Sequence, residues 1–337
     1  MRITNQMLSN NFLSDMRNNL ENLETLQQQM SSGKEIRKPS DDPFKVSRAM
    51  QLTTDINANK QFNSNISDTS NWLDTTDSAL GQVGEVFQRV RELLVSAGNA
   101  GYGPTQQKAI KDEINSKIGE FTQIMNTNFN GQYIFGGSRA NVKPLETITD
   151  TSNNSKLVYY SNSASNPELD ITSATGIIEL NKLNSKVSVE ISQGVNIQYN
   201  ISAGDLLQFK SDQGQSVDLR QLLTSIVNHL DGKTDDGTAV DSQATNNVIG
   251  KDLQGITDTI TNFLKYRSEV GAKQNRMDSA KSSNEVQNFN MTDILSKTED
   301  IDITQKTIQF SNAQSVYMAA LQTSARIIQP TLLDYLR

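Results

Sequence analysis

The stretch ISDTSNWLDTTDSALGQVGEVFQRVRELLVSA (66–97) decides the fold of this chain. Its apolar residues recur at heptad spacing, at Ile66, Leu73, Leu80, Val83, Phe87, Val90, Leu94 and Ala97. Such a repeat predicts a long helix with one face packed in a coiled coil. A helix from Phe44 to Ala97 would be roughly 80 Å long, which is more than a globular domain needs. We therefore predict a rod of packed helices.

The sequence around this helix supplies its start, its end and two neighbours. In the run Pro39-Ser40-Asp41-Asp42-Pro43, Asp42 is placed as N-cap and Pro43 as the first helical residue. An earlier helix, ended by Gly33, is predicted to carry one seam at Leu13, Met16, Leu20, Leu23, Gln27 and Met30. Beyond Pro104, a third helix is predicted with apolar positions Ile110, Ile114, Ile118, Phe121 and Met125.

The C-terminal arm shows the same pattern. One heptad register is predicted through Ile249, Leu253, Ile256, Ile260, Phe263, Arg267, Val270, Gln274, Met277 and Lys281. Polar residues in such a seam fix register and partner at some cost in stability. A looser stripe follows at Ile294, Ile301, Ile308, Tyr317, Ala320, Ile327 and Leu333. We expect the two arms to pair with each other as one antiparallel bundle.

A segment of different composition lies between the arms. Val187, Val189 and Ile191, and then Val195, Ile197, Tyr199 and Ile201, alternate with polar residues around Ser192-Gln193-Gly194. This alternation predicts a β-hairpin. A short helix from Leu219 to Leu230 is predicted beside it, with Asp218 before it and Gly232 after it.

The predicted fold class is mainly α with a β-rich insert: an elongated antiparallel coiled-coil bundle of N- and C-terminal arms, with a small β domain between them. The predicted domains are an N-terminal coiled-coil end that orders on assembly (1–43), the first part of the helical rod (44–129), the β-rich insert (130–247), the second part of the rod (248–290) and a C-terminal coiled-coil end (291–337).

Composition argues against several classes of function. The net charge is −7 with no basic cluster, so neither nucleic acid nor an anionic membrane surface is an expected partner. No run of apolar residues is long enough to span a membrane, and no signal peptide is recognised. The chain has no cysteine and one histidine, His229, which is predicted to be an ordinary surface residue. We expect no cofactor, no metal and no enzyme activity, since neither HExxH nor G-x-S-x-G occurs.

Particular segments of both arms resemble the flagellin superfamily. They are SSGKEIRKPSDDPFKVSRAM (31–50), the helix at 64–99, SEVGAKQNRMDSA (268–280), SKTEDIDITQ (296–305) and LLDYLR (332–337). Two details resemble its hook-associated proteins more than its filament subunits. These are PSDDP (39–43), where filament subunits carry an alanine-rich run, and NFNGQYIFGG (128–137), which leads into the β insert.

The resemblance implies a structural protein of the flagellum that joins hook to filament by self-assembly into a short tube. The alternative is the main filament subunit. The implied partners are other copies of the chain, flagellin, a neighbouring hook-associated protein on the hook side, and an export chaperone in the cytoplasm. The implied location is outside the cell, reached through the flagellar type III apparatus.

Arg89 and Arg91 resemble a subunit-packing patch of flagellins, and the alternative is a charged helix face with an ion pair between Glu85 and Arg89. The predicted subunit-packing residues are Leu13, Met16, Leu20, Leu23, Arg89, Arg91, Tyr317, Ile327 and Leu333. Trp72, Tyr133 and Phe135 are predicted to be packing anchors, and Asp41 with Asp42 a solvated helix start.

Overall fold

The computed structural model describes residues 5–98, 103–150, 154–162, 167–211 and 213–327. The chain is predominantly helical. Its long helices are α1 (Asn5–Ser32), α2 (Pro43–Ala97), α3 (Pro104–Met125), α8 (Leu253–Glu299) and α9 (Ile303–Ile327). The short helices between them are α4 (Ala174–Leu183), α5 (Ala203–Leu207), α6 (Leu219–Leu230) and α7 (Ala244–Asn247), and one π-helical turn (Val248–Asp252) precedes α8.

The strands of the described residues form separate antiparallel hairpins. They pair β1 (Asn128–Phe129) with β2 (Gln132–Tyr133), β3 (Leu145–Thr149) with β4 (Ser155–Tyr159), β5 (Ser188–Ser192) with β6 (Val195–Gln198), and β7 (Gln208–Lys210) with β8 (Ser216–Asp218). The predicted fold class, helical arms with a small β-containing region between them, is confirmed.

The chain divides into two compact units. The central unit comprises residues 61–284, and the end unit comprises residues 1–60 together with 285–337. The end unit therefore draws on both ends of the chain, and α2 and α8 each contribute residues to both units.

In the central unit, α2, α3 and α8 share one apolar core. The heptad residues predicted on α2 and α3 are all buried there. An aromatic cluster joins the three helices, because the ring of Phe87 lies 5.1 Å from that of Phe121 and 5.2 Å from that of Phe263. α8 runs antiparallel to α2, since Arg267 contacts Asp77 and Gln274 contacts Asp74. The predicted antiparallel pairing of the arms is confirmed for this unit.

The C-terminal heptad register is wrong at its first position. The π-helical turn over Val248–Asp252 inserts an extra residue per turn, so the residues before and after it do not share a face. Val248 is buried, whereas Ile249, the predicted seam residue, is 44% exposed. From Ile256 to Met277 the apolar seam residues are buried as predicted.

The predicted hairpin is β5–β6, with Gly194 at φ 73° in its turn, a conformation that glycine adopts without strain. The predicted short helix is α6, and the carboxylate of Asp218 accepts a hydrogen bond from the backbone N–H of Arg220 at 3.0 Å. Gly232 follows the helix at φ 71°. Both predictions are confirmed. They could be made from the sequence because turn and cap residues act on the backbone next to them.

The NFNGQYIFGG segment forms the turn and exit of the β1–β2 hairpin. Asn130 (φ 51°) and Gly131 (φ 81°) make its turn, and the side chain of Asn128 accepts a hydrogen bond from the backbone N–H of Gly131 at 2.8 Å. Phe135 is fully buried, as predicted for a packing anchor. Gly137 has φ 61°, and a Cβ there would lie 2.2 Å from the carbonyl oxygen of Leu183. Glycine is required at this position by both conformation and space.

His229 is not a surface residue, and that prediction is wrong. Its side chain is completely buried on α6, with Nδ1 2.6 Å from Oδ2 of Asp252 and Nε2 2.7 Å from Oδ1 of Asp235. These carboxylates lie on the π-helical turn and on the loop after α6. Burial of this polar ring is tolerated because Nδ1 has a hydrogen bond with Asp252 and Nε2 lies beside the carboxylate of Asp235.

Candidate subunit interface

In the end unit, α1 and α9 pack against each other in antiparallel orientation. The end of α1 meets the start of α9, where the backbone N–H of Ile301 donates to the carbonyl of Gly33 at 3.0 Å. Beside it the N–H of Glu35 donates to the carbonyl of Glu299 at 2.6 Å, and Lys34 forms an ion pair with the Glu299 carboxylate. Gly33 has φ 73°, which lets the chain turn where α1 ends.

The face of α1 toward α9 differs from the predicted seam. Most of the half-buried side chains repeat at spacings of four and three, at Phe12, Met16, Asn19, Leu23, Leu26 and Met30; Ser9, Gln28 and Gln29 are also half-buried. Met16 and Leu23 therefore lie in the seam between α1 and α9. Leu13 and Leu20 are 43% and 52% exposed, and Gln27 is also exposed. The prediction of one seam is thus wrong at Leu13, Leu20 and Gln27, which form a second, outward row one position along the helix.

The face of α9 toward α1 also departs from the predicted stripe. The half-buried positions are Lys306, Phe310, Ala313, Tyr317 and Ala320. The helix is interrupted between Glu299 and Ile303, so the spacing predicted through Ile294, Ile301 and Ile308 does not persist. Ile294 and Ile308 are exposed, whereas Tyr317 and Ala320 are half-buried. Of the other predicted packing residues, Leu333 and the side chain of Ile327 lie outside the described part of the chain.

Exposed large apolar side chains concentrate on the end unit. Among described residues it carries Met7, Leu13, Leu20, Phe44, Met50, Val286, Phe289, Ile294, Ile303, Ile308, Val316, Met318 and Leu321. The central unit, although longer, carries Val95, Ile171, Ile177, Ile178, Val195, Val240, Ile249 and Leu264. Exposed apolar side chains are thus denser on the end unit than on the central unit.

A short segment connects α1 to α2 and sets the first turn of α2. The carboxylate of Asp42 accepts hydrogen bonds from the backbone N–H groups of Phe44 and Lys45, both at 3.1 Å, and the helix begins at Pro43. Asp41 accepts from the backbone N–H groups of Lys38 and Arg37, and these bonds lower the pKa of its carboxyl. The two aspartates thus shape the connection through backbone hydrogen bonds.

Arg89 and Arg91 are both exposed on α2. Arg89 contacts Glu92 on the same helix at 3.0 Å and Glu113 on α3 at 2.8 Å, whereas the predicted partner was Glu85. The Glu92 and Glu113 carboxylates raise the pKa of the Arg89 guanidinium. Arg91 has no ion pair with another described residue.

Two other kinds of site, a membrane span and a metal centre, are not found among the described residues. No described helix is both long and apolar enough to cross a membrane. Among the same residues, no group of three or more histidine, cysteine, aspartate or glutamate side chains is arranged to hold a metal ion.

The two arms match known protein families. Residues 3–140 match the bacterial flagellin N-terminal helical region, and residues 253–336 match the bacterial flagellin C-terminal helical region. The two matched regions together cover more than half of the chain and include α1, α2, α3, α8 and α9.

Sequence relatives include both flagellins and hook-associated proteins. The chain is 23% identical over 380 residues to a flagellin of Clostridium tyrobutyricum, covering 98% of this chain and 100% of the relative. It is 22% identical over 303 residues to flagellar hook-associated protein 3 of Escherichia coli, covering 90% of this chain and 89% of the relative.

Solved structures of hook-associated proteins share the fold. A flagellar hook-associated protein of Vibrio parahaemolyticus aligns with a TM-score of 0.58 and 17% identity, covering 77% of this chain and 100% of that one. Flagellar hook-associated protein 3 of Legionella pneumophila aligns with a TM-score of 0.58 and 13% identity, covering 74% and 98%. The chain belongs to the flagellin family, has the fold of hook-associated protein 3, and is a structural component of the bacterial flagellum.

Proposed function

We propose that this chain is the hook-associated junction protein that connects hook to filament, and that it does so by self-assembly through its end unit. The observation that carries the proposal is the second apolar row of α1. Met16 and Leu23 are used within the chain against α9, whereas Leu13 and Leu20 face outward. A helix with two adjacent heptad rows can pack against two partners at once.

The outward row of α1 lies on the same unit as exposed apolar side chains of α9, including Ile308 and Met318. We infer that the outer face of one copy packs on a different face of the next copy. Contacts between unlike surfaces repeat without closing in pairs, and a helical tube results when the rotation does not close a ring. Arg91, and Arg89 beside it, are proposed to make polar contacts between subunits outside this apolar interface.

The β-containing insert and its entry segment favour the junction role over the filament role. NFNGQYIFGG builds the β1–β2 hairpin and places Phe135 and Gly137 in the core. This segment and PSDDP resemble the hook-associated proteins, and the solved hook-associated structures share the fold. The alternative is the main filament subunit, which the full-length similarity to a flagellin favours.

Location and partners follow from this role. We propose that the chain is exported through the flagellar type III apparatus without a cleaved signal peptide and acts outside the cell. Its partners are other copies of itself, flagellin on one side, a neighbouring hook-associated protein on the hook side, and an export chaperone in the cytoplasm. It stays a prediction that residues 1–43 and 291–337 become ordered on assembly. Such coupling of folding to assembly would limit polymerisation before export.

Electron microscopy of cells lacking this gene separates the two roles. A junction protein is required for filament growth but not for flagellin export, so we expect intact hooks without filaments and flagellin shed into the medium. Hooks without filaments and without shed flagellin would make this chain the filament subunit. Normal filaments would contradict both roles.

A further inference from the structure

The only histidine of the chain is held between two carboxylates in the central unit, at the junction of three segments. His229 lies on α6, Asp252 ends the π-helical turn before α8, and Asp235 lies in the loop after α6. The side chains of His229 and Asp252 are completely buried, whereas that of Asp235 is about half exposed. One ring therefore connects a helix, a loop and the start of the C-terminal arm.

The two ring nitrogens have different kinds of contact. Nδ1 forms a hydrogen bond with Oδ2 of Asp252 at 2.6 Å. Nε2 lies 2.7 Å from Oδ1 of Asp235 but without the alignment of a hydrogen bond, so charge decides whether this contact attracts or repels. A protonated Nε2 attracts the carboxylate, and a bare lone pair repels it. Only the imidazolium carries a proton on both nitrogens.

Several charged groups on α6, on the loop after it and on the elements that pack against α6 have partners of their own. Asp235 is also paired with Lys251 of the π-helical turn at 2.7 Å, which lowers the pKa of the Asp235 carboxyl and keeps it ionised. Asp231 at the end of α6 is paired with Lys111 of α3, and Asp218 at its start with Arg220. On β4, Lys156 is paired with Glu168. Among described residues, Asp252 and Asp235 are the carboxylates in contact with the ring nitrogens.

The buried carboxylate of Asp252 is also affected by the charge of the ring. Burial raises the pKa of its carboxyl, although its hydrogen bond with His229 acts in the opposite direction. Its other oxygen, Oδ1, is buried without a hydrogen-bond partner among the described residues. A buried carboxylate in that state depends on the charge of its one ring partner.

We propose that His229 is a proton-operated latch, which in its protonated form holds the loop at Asp235 and the π-helical turn at Asp252 together. When the ring loses its proton, the neutral form keeps the hydrogen bond to Asp252 and releases Asp235. The loop from 232 to 241 then loses its attachment to the buried ring, while its contacts with Asn228 and Lys251 remain. The latch would make the insert's last loop, which carries the exposed Val240, responsive to pH.

The test uses the full chain labelled with ¹⁵N-histidine, without an added histidine tag, so that one residue gives all imidazole signals. The ¹⁵N shifts report whether both nitrogens are protonated, and amide hydrogen exchange of the segment 231–241 is measured over the same pH series. We expect loop protection, corrected for intrinsic exchange, to fall as the ring loses its proton. Loop protection that stays constant through the ring titration, or a neutral ring in the protected state, would overturn the latch.

A matched pair of variants separates the latch from general effects of charge. In Asp235→Asn we expect that loop protection no longer follows the protonation state of the ring, because the amide is neutral. Asp112→Asn removes the same charge from an exposed position on α3 and should retain the wild-type coupling. If loop protection in Asp235→Asn still follows the ring, the contact with Nε2 is not the latch and the proposal fails.

Discussion

The guanidinium of Arg267 binds both carboxylate oxygens of Asp77, with Nε 2.9 Å from Oδ1 and a terminal nitrogen 3.3 Å from Oδ2. One heptad further along α8, the side chain of Gln274 donates to Asp74, which lies one turn earlier on α2. Two polar residues that interrupt the apolar seam of α8 are thus matched with two aspartates of α2. This pairing is specific to one antiparallel register of the two helices.

We expect Arg267→Asp to destabilise the central unit by about 1 kcal/mol, because it places two carboxylates side by side at a partly exposed site. The charge-reversed double variant Arg267→Asp with Asp77→Arg should regain most of that loss. Urea unfolding of the wild type, both single variants and the double variant gives the coupling energy. If the free-energy changes of the two single variants simply added up in the double variant, Arg267 and Asp77 would not be coupled, and the pair would not contribute to the register.

The aromatic cluster of Phe87, Phe121 and Phe263 predicts a large effect of truncation. Phe263→Ala should destabilise the central unit by about 3 to 5 kcal/mol, since it opens a cavity among three helices. Leu264→Ala removes its exposed neighbour on α8 and should change stability by only about 0.5 kcal/mol. Similar midpoints of thermal unfolding for the two variants would contradict the location of this core.

Two glycines of the β1–β2 region differ in the space around them. Gly131 has φ 81°, and an added Cβ would have no atom within 4 Å of it. Gly131→Ala should therefore cost only about 1 kcal/mol of backbone strain. At Gly137 the added carbon would also meet the carbonyl of Leu183, and Gly137→Ala should cost about 2 to 5 kcal/mol. Equal losses of stability in urea would mean that the close approach at Gly137 is not rigid.

Asp205 predicts a pH dependence of the central unit. Burial would raise the pKa of its carboxyl, but hydrogen bonds from Lys186 and Ser202 outweigh burial and lower it. Because the folded pKa lies below the unfolded value of about 3.9, the stabilisation is present above about pH 4 and is lost as pH falls through the folded pKa. Asp205→Asn should therefore lower stability at pH 7 and converge with the wild type in acid. If the difference in free energy of unfolding between Asp205→Asn and the wild type stayed constant from pH 7 to pH 2, this contribution would be excluded.

The sequence was sufficient to predict the long helices, because proline and glycine limit α2 and α3 and the heptads continue for several turns. It could not decide which row of α1 faces α9. Leu13 and Leu20 are as apolar as Met16 and Leu23, and two overlapping heptads fit the same residues. The half-buried set also includes the polar Asn19, which no hydrophobic pattern selects.

Long-range polar contacts account for the other errors. His229 lies three residues after Ile226 on the apolar side of α6, so its burial agrees with helical periodicity. Burial is tolerated only because Asp252 and Asp235 reach the ring, and Asp252 is 23 residues away along the chain. The π-helical turn at Val248–Asp252 likewise has no local sequence signal, so the register before it could not be predicted.

The most direct test of self-assembly through the outer row of α1 is filament counting by electron microscopy in cells that lack the wild-type gene and express Leu13→Ser with Leu20→Ser. We predict that this protein is exported and that the central unit keeps its fold, but that hooks carry no filaments. The matched control is Asn18→Ser with Thr25→Ser, at exposed polar positions of the same helix, and it should restore filaments. Normal filaments on cells expressing the Leu13 and Leu20 variant would contradict the proposed interface.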